Sequence, residues 1–260
     1  MLVMLTAIIV SEYSYAVLIL VILGVGINEF TILYRQTEIK PNNILNYLIS
    51  GIAFILSFLV AQGTIASKYL WVLFPFILIV MAAELYRKKE KPAENIAITL
   101  LSILYLALPL SLINFLVFPN FQGDHNYTSK LLIALFAIIW IHDSGAYLVG
   151  VSIGRHRLFE RISPKKSWEG AIGGTLIAVG ASYFIAQYIP EVTFNHWIFI
   201  SFLVVVSATF GDLTESMFKR YFGIKDSGNI LPGHGGILDR FDSLFFAVPV
   251  FVTYLEIFVK

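Results

Sequence analysis

Residues 211–242, GDLTESMFKRYFGIKDSGNILPGHGGILDRFD, form the densest run of reactive groups in this chain. Asp212, Glu215, Asp226, Asp239 and Asp242 are interleaved with Lys219, Arg220, Lys225, His234 and Arg240. Carboxylates crowded where water is scarce repel one another and stay ionised cheaply only with cations between them. Lys and Arg can serve, and so can Mg²⁺, a hard ion that takes oxygen ligands together with substrate phosphates. Residues 231–236, LPGHGG, make a glycine-rich turn whose successive N–H groups could aim at an anion, although a plain tight connection reads the same way.

A second cluster lies upstream, in SPKKSWEG at residues 163–170. Ser163 or Ser167 can cap a following helix, and Pro164 suits its first turn. A helix start offers free N–H groups and the positive end of the dipole. With Lys165 and Lys166 beside it, the cluster is an anion site, best suited to phosphate. Positive-inside orientation or contact with anionic headgroups would also account for the lysines. Gly170 and Gly174 form a small-xxx-small pattern that allows close helix packing. His142 and Asp143 follow Trp140 at the expected end of an apolar run, where an ionisable pair is costly and marks a functional site by default. Glu29 and Glu84 sit near helix ends, where snorkelling or helix–helix hydrogen bonding is the favoured reading.

The elements that position these groups follow from composition. Of 260 residues, 58% are hydrophobic and 13% charged, against roughly 25% charged in a soluble domain. Too few polar groups exist to cover a soluble surface, which excludes a soluble enzyme, a nucleic-acid-binding module and a disordered chain. Continuous rather than alternating apolar runs disfavour a β-barrel. The expected class is an all-α, polytopic integral membrane protein with eight to nine transmembrane helices. Eight segments qualify: 13–34, 46–61, 69–86, 95–118, 130–151, 168–188, 195–212 and 240–259. Residues 1–10 are apolar but short, open between a ninth span, a half-span and an interfacial helix. No basic n-region precedes Arg35, so no cleavable signal peptide is expected. The chain has no cysteine, which removes disulfides, thiolate metal sites and cysteine nucleophiles. Residues 1–130 are expected to supply the N-terminal helices and 131–260 the helices carrying the motifs, in one continuous membrane domain.

Lys and Arg alternate through the successive loops, fourteen on one side and three on the other. The rich side is expected to be cytoplasmic. It collects loops 152–167 and 213–239, so both clusters could build one site there. On this reading Asp212 ends one helix and Asp239 begins the next. Asp212 and Asp239 become the expected principal Mg²⁺ ligands, although salt bridges with Lys219, Lys225 or Arg240 would also account for them, and Asp242, three residues from Asp239, shares its helix face. The chain has no G-x-x-x-x-G-K-[ST], no dinucleotide fingerprint in strand context and no nucleophile elbow. Basic residues, carboxylates and glycines at a cytoplasmic membrane face suit phosphoryl or nucleotidyl transfer to a lipid, chemistry that is mainly positioning and charge neutralisation.

The run Ser216-x-x-Lys219-Arg220, Lys225-Asp226, His234-Gly235-Gly236, Asp239-Arg240-x-Asp242 resembles the signature of phosphatidate cytidylyltransferases, the CDP-diacylglycerol synthases. Asp143-Ser144-Gly145-Ala146-Tyr147 and the segment from Ser163 to Gly170 resemble that family too. The resemblance covers roughly residues 140–250; residues 1–130 match only as a hydrophobic multi-span region. It implies that CTP and phosphatidic acid give CDP-diacylglycerol and pyrophosphate with Mg²⁺, with or without a second cation, at the cytoplasmic face of the cytoplasmic membrane. Asp143, Lys166, Lys219, Arg220, Asp226, His234 and Arg240 would be catalytic. Ser163, Lys165, Lys166, Lys219, Arg220, Lys225, Gly235 and Gly236 would bind substrate, and Asp212, Asp239 and Asp242 the metal. No nucleic acid is expected as partner, and small-residue helix faces permit a homodimer. Another CTP-dependent lipid enzyme, such as a polyprenol kinase or a CDP-archaeol-type synthase, is the alternative. A transporter is disfavoured because the polar residues crowd one face.

Overall fold

The computed structural model describes residues 2–35, 37–121, 125–224, 227–228 and 235–259. The chain divides into two compact units, residues 1–128 with 226–240, and residues 129–225 with 241–260.

The first unit begins with α1 (Leu2–Val10) and α2 (Glu12–Ile32). Nine residues of helix rise about 13 Å, against a hydrocarbon core of about 30 Å, so α1 is too short to be a ninth span. Ser11 separates the two helices, its hydroxyl capping α2 at the Ser14 N–H. α3 (Asn43–Ala61) is capped by Asn42. A 3₁₀ segment (Ser67–Val72) leads into α4 (Leu73–Arg87). α5 (Pro92–Ser102) runs through a π-helical turn (Ile103–Ala107) into α6 (Leu108–Leu112), followed by α7 (Asn114–Val117). Pro109 explains the wide turn: it lacks an N–H and its ring crowds the carbonyl four residues back, so the Leu108 N–H bonds to the Ile103 carbonyl instead.

Several buried polar groups in this unit find partners across helices, which an apolar surrounding favours. Asn46 donates to Ser102 at 2.8 Å. Asn114 accepts from Tyr15 at 2.9 Å and donates to Ser57 at 2.8 Å. Glu84 accepts from Asn95 at 2.7 Å and pairs with Arg87 at 2.6 Å, so its expected helix-to-helix bonding is what the structure shows.

The second unit contains α8 (Lys130–Ile153), an antiparallel hairpin of β1 (Arg157–Phe159) and β2 (Ser163–Ser167), then α9 (Trp168–Tyr188), α10 (Phe194–Tyr221) and most of α11 (Leu238–Phe258). Among the described residues, eight helical stretches are long and apolar enough to cross a membrane. Each matches one expected span, and the protein is an all-α polytopic membrane protein in architecture.

Three boundaries differ from expectation. α10 continues nine residues beyond Asp212, to Tyr221, so Asp212 lies within a helix and does not end it. Helical pairing explains the extension: Glu215 and Lys219, one turn apart, form an ion pair of 2.5 Å, and Lys219 and Arg220 suit the negative end of the dipole. α8 likewise continues ten residues beyond Asp143, to Ile153, so His142–Asp143 does not end its span. Finally, loop 152–167 is largely the hairpin, with Arg157 opposite Ser167 and Phe159 opposite Ser163.

Candidate active site

Glycines bring α8 and α9 of the second unit into backbone contact. A Cβ on Gly174 would meet the His142 carbonyl oxygen at 2.6 Å, and one on Gly170 the Ala146 carbonyl oxygen at 2.6 Å. Small residues permit this approach between membrane helices, so the Gly170–Gly174 stripe is used inside the unit. The approach sets the Asp143 turn of α8 against the first turns of α9. Ser167, the last residue of β2, caps α9 by accepting from the Gly170 N–H at 3.1 Å. Glu169 reaches back from the first turn and accepts from the Arg155 N–H at 3.1 Å and the His156 N–H at 3.2 Å. Cap and tie together hold the hairpin on the helix start, and the hairpin carries Ser163, Lys165 and Lys166.

A cavity of about 610 Å³ opens at this joint. Arg157, Lys165 and Lys166 supply three cations to its lining, against the carboxylates of Asp143 and Asp212. Asp143 is 57% exposed, while the neighbouring His142 ring is buried and contacts it at 3.2 Å. Lys166 and Asp212 form an ion pair, and the Ser216 hydroxyl donates to the other Asp212 oxygen at 3.3 Å. Gly211 lets α11 approach α10 closely, since a Cβ there would collide with the Asp242 backbone. Asp242 is consequently within electrostatic reach of Asp212, Lys166 and Lys219, and its own carboxylate accepts from the Ser243 N–H at 2.6 Å. Arg220 is exposed, with Nε 3.4 Å from the Ile162 carbonyl at the hairpin turn.

Asp239 and Gly235–Gly236 belong to the first unit. One Asp239 oxygen accepts from the Ser227 N–H at 2.9 Å, the Ser227 hydroxyl at 2.9 Å and the Gly236 N–H at 2.8 Å. Glu29, 1% exposed, accepts from the Ile237 N–H at 3.0 Å and the Leu238 N–H at 2.9 Å, capping α11 from α2. The two glycines are dictated by these carboxylates. Gly235 has φ +77°, and a Cβ there would sit 2.8 Å from the Asp239 carboxylate; at Gly236 it would sit 2.5 Å from Glu29. Arg240 is exposed at the first turn of α11. Lys225, Asp226 and His234 lie outside the described residues.

Sequence reasoning missed two of these features and the partner of a third. Glu29 makes the helix-to-helix hydrogen bonds expected of it, but its partners lie 208 and 209 residues away in sequence. Arg157 and Thr209 line the cavity, but nothing in their local sequence separates them from an ordinary loop cation and a threonine in an apolar helix.

The donor set beside the cavity fits a hard cation. Asp212 and Asp242 offer oxygen ligands, and two carboxylates facing the Lys166 ammonium leave negative charge for a divalent ion to offset. Among the described residues, no cluster of three or more His, Cys, Asp or Glu side chains forms a ligand set.

The cytidylyltransferase family model matches residues 1–258. The chain belongs to the cytidylyltransferase family. Among curated relatives it is similar to the phosphatidate cytidylyltransferase of Staphylococcus epidermidis, 37% identical over 174 residues, covering 66% of this chain and 64% of the relative. The enzyme of that name from Staphylococcus aureus is 38% identical over 178 residues, covering 66% and 64%. That from Haemophilus influenzae is 43% identical over 145 residues, covering 54% and 50%. The matched stretch therefore spans less than two thirds of these relatives' length.

Proposed function

We propose that the protein is a phosphatidate cytidylyltransferase, transferring the cytidylyl group of CTP to phosphatidic acid to give CDP-diacylglycerol and pyrophosphate. The observation that carries the reading is the cavity at the α8–α9 joint, where Arg157, Lys165 and Lys166 face Asp143 and Asp212 at the end of helices long enough to cross a bilayer. Family membership and the relatives' names support it.

The acceptor is a phosphate monoester, whose second pKa near 6 leaves it largely dianionic at neutral pH. It attacks the α-phosphorus of CTP; the bond to the β-phosphate oxygen breaks and pyrophosphate leaves. No base is required, since the nucleophile carries no proton to remove. The difficulty is charge: two unit charges 4 Å apart repel by about 4 kcal/mol at an effective dielectric of 20. Lys165, Lys166 and Arg157 offset this repulsion, and the α9 start adds its dipole. Arg220 at the hairpin turn would hold the polyphosphate from the other side. Lys219 is held by Glu215, which orients it within α10. Asp212 and Asp242 would hold Mg²⁺, which when bound supplies charge neutralisation to the phosphates. By the family resemblance Asp226, His234 and Arg240 would be catalytic, Ser163, Lys225, Gly235 and Gly236 would bind substrate, and Asp239 would hold metal; the hydrogen bonds that Asp239 accepts from Ser227 and Gly236 favour a positioning role for it instead.

The site would face the cytoplasm, following the Lys/Arg asymmetry of the loops. A cysteine at position 160, exposed in the hairpin loop, should then react with an impermeant maleimide only after cells are opened; labelling of intact cells would reverse the topology. The decisive assay is purified protein with CTP, phosphatidic acid and Mg²⁺, following pyrophosphate. Release of CDP with a phosphorylated lipid, or no reaction, would overturn the reading.

A further inference from the structure

A second cavity, of about 590 Å³, lies between α9 and α10. Its walls are set by two helical stripes. On α9 they are Leu176 and Val179, and on α10 Phe199, Phe202, Val206 and Phe210. Apart from the indole of Trp168, the polar side chains in the lining are two threonines, and each spends its hydroxyl on its own helix: Thr175 on the Ala171 carbonyl at 2.7 Å and Thr209 on the Val205 carbonyl at 2.9 Å. Both therefore present methyl groups to the groove. The groove is open outward, with Leu176 68% and Phe202 50% exposed. In a chain of membrane spans, such a surface meets hydrocarbon.

The groove also adjoins the polar cavity. Leu158, Ala171 and Thr209 line both. Leu158 comes from the hairpin that carries Lys165 and Lys166, so the apolar slot begins where the phosphate-binding groups end. An amphiphile lying across these three residues would have its head among the cations and one tail between α9 and α10.

We propose that this groove seats one acyl chain of the phosphatidic acid whose phosphate reacts in the adjoining cavity, and that it sets acyl-chain selectivity. The inference rests on the proposed phosphatidate chemistry and adds a subsite to it. A seated chain fixes the phosphate at the cavity mouth and reduces the freedom lost on reaching the α-phosphorus. Bulk lipid, lacking an anionic head suited to the cavity, would occupy the groove without that registration.

Leu176→Trp and Val206→Trp fill the groove and leave the cavity lining intact. In detergent, kcat/KM should fall about tenfold for dioleoyl relative to dihexanoyl phosphatidic acid, the scale on which apolar pockets discriminate, while KM for CTP stays unchanged. Equal losses on both lipids, or no loss on either, would overturn the proposal. A second measurement stands apart from turnover: phosphatidic acid with a diazirine in its acyl chain should crosslink the unmodified protein on α9 and α10, and unlabelled phosphatidic acid should compete where phosphatidylcholine does not. Crosslinks elsewhere, or equal competition by both lipids, would overturn it. A parent protein that releases no pyrophosphate yet shows the selective crosslink would defeat the proposed reaction and leave the groove assignment standing.

Discussion

Asp239, in the first turn of α11, and Asp212, within α10, are both carboxylates on long helices, and they are held in opposite ways. Asp239 is bound by the Ser227 N–H and hydroxyl and the Gly236 N–H, all on one oxygen. Asp212 is opposed by a lysine at the edge of an open cavity. Backbone N–H groups cannot leave a carboxylate without unmaking the segment they belong to. A lysine ammonium on four flexible carbons can transfer to an arriving phosphate without any change in the backbone. Glu29 repeats the first pattern, buried and capping α11. In the first unit these two acids are thus committed to backbone groups, whereas in the second Asp212 faces a mobile side chain at an open cavity.

The largest effects should fall on the exchangeable pair. Asp212→Asn and Lys166→Ala should each lower kcat/KM by roughly ten- to a hundredfold, the scale of a charged hydrogen bond, with folded yield near that of the parent. The double variant should lose less than the product of the two, since groups acting as a unit are not additive. Full multiplicativity would break the pairing. Asp212→Asn should also raise the Mg²⁺ concentration needed for half-maximal activity; an unmoved titration would remove Asp212 as a ligand.

Next in size is the helix joint. Gly174→Val drives a side chain into the His142 carbonyl, and overpacking of this kind costs about 3 kcal/mol. Thermal unfolding in detergent should shift down accordingly. A melting temperature equal to the parent's would show that α8 and α9 can separate without penalty.

Asp239→Asn should come third. The amide keeps one acceptor oxygen but loses its charge, costing about 1 kcal/mol. Stability should fall while the Mg²⁺ titration of the remaining activity keeps its midpoint. A steep upward shift in that midpoint would make Asp239 a metal ligand and dissolve the contrast with Asp212.

The smallest effect belongs to an exposed ion pair in the first unit, Lys91 with Glu38 at 2.7 Å. The hydrogen bond from Lys91, then its charge, holds the Glu38 carboxyl below its ordinary 4.5, and the same contact holds Lys91 above its ordinary 10.5. The contribution is therefore complete between those two values. It declines as pH falls below 4.5 through the lowered Glu38 value, and as pH rises above 10.5 through the raised Lys91 value. Glu38→Gln should remove a small increment of stability in that plateau, and 1 M salt should remove most of it from the parent. A salt-independent increment would mean the pair is shielded from solvent.

The sequence alone determined the membrane architecture, because hydrocarbon leaves the backbone no partner but itself and each span is therefore written as a run of apolar residues. It also announced the start of α9, since Ser167 is a good cap and that fact is local, whereas the hairpin before it was expected only as a loop. The length of α10 was legible in principle, since Glu215 and Lys219 stand one turn apart, but the charge density of residues 213–220 reads equally well as a loop. Tertiary structure decided the rest. The role of Glu29 depends on a contact across 208 residues, and the requirement for Gly235 and Gly236 depends on where the Asp239 and Glu29 carboxylates lie. The different surroundings of Asp212 and Asp239 are likewise invisible in sequence, because the two are the same residue type and their partners come from elsewhere in the chain. Carboxylate chemistry is set by neighbours within a few ångströms, and in a bundle of long helices those neighbours come from distant parts of the chain.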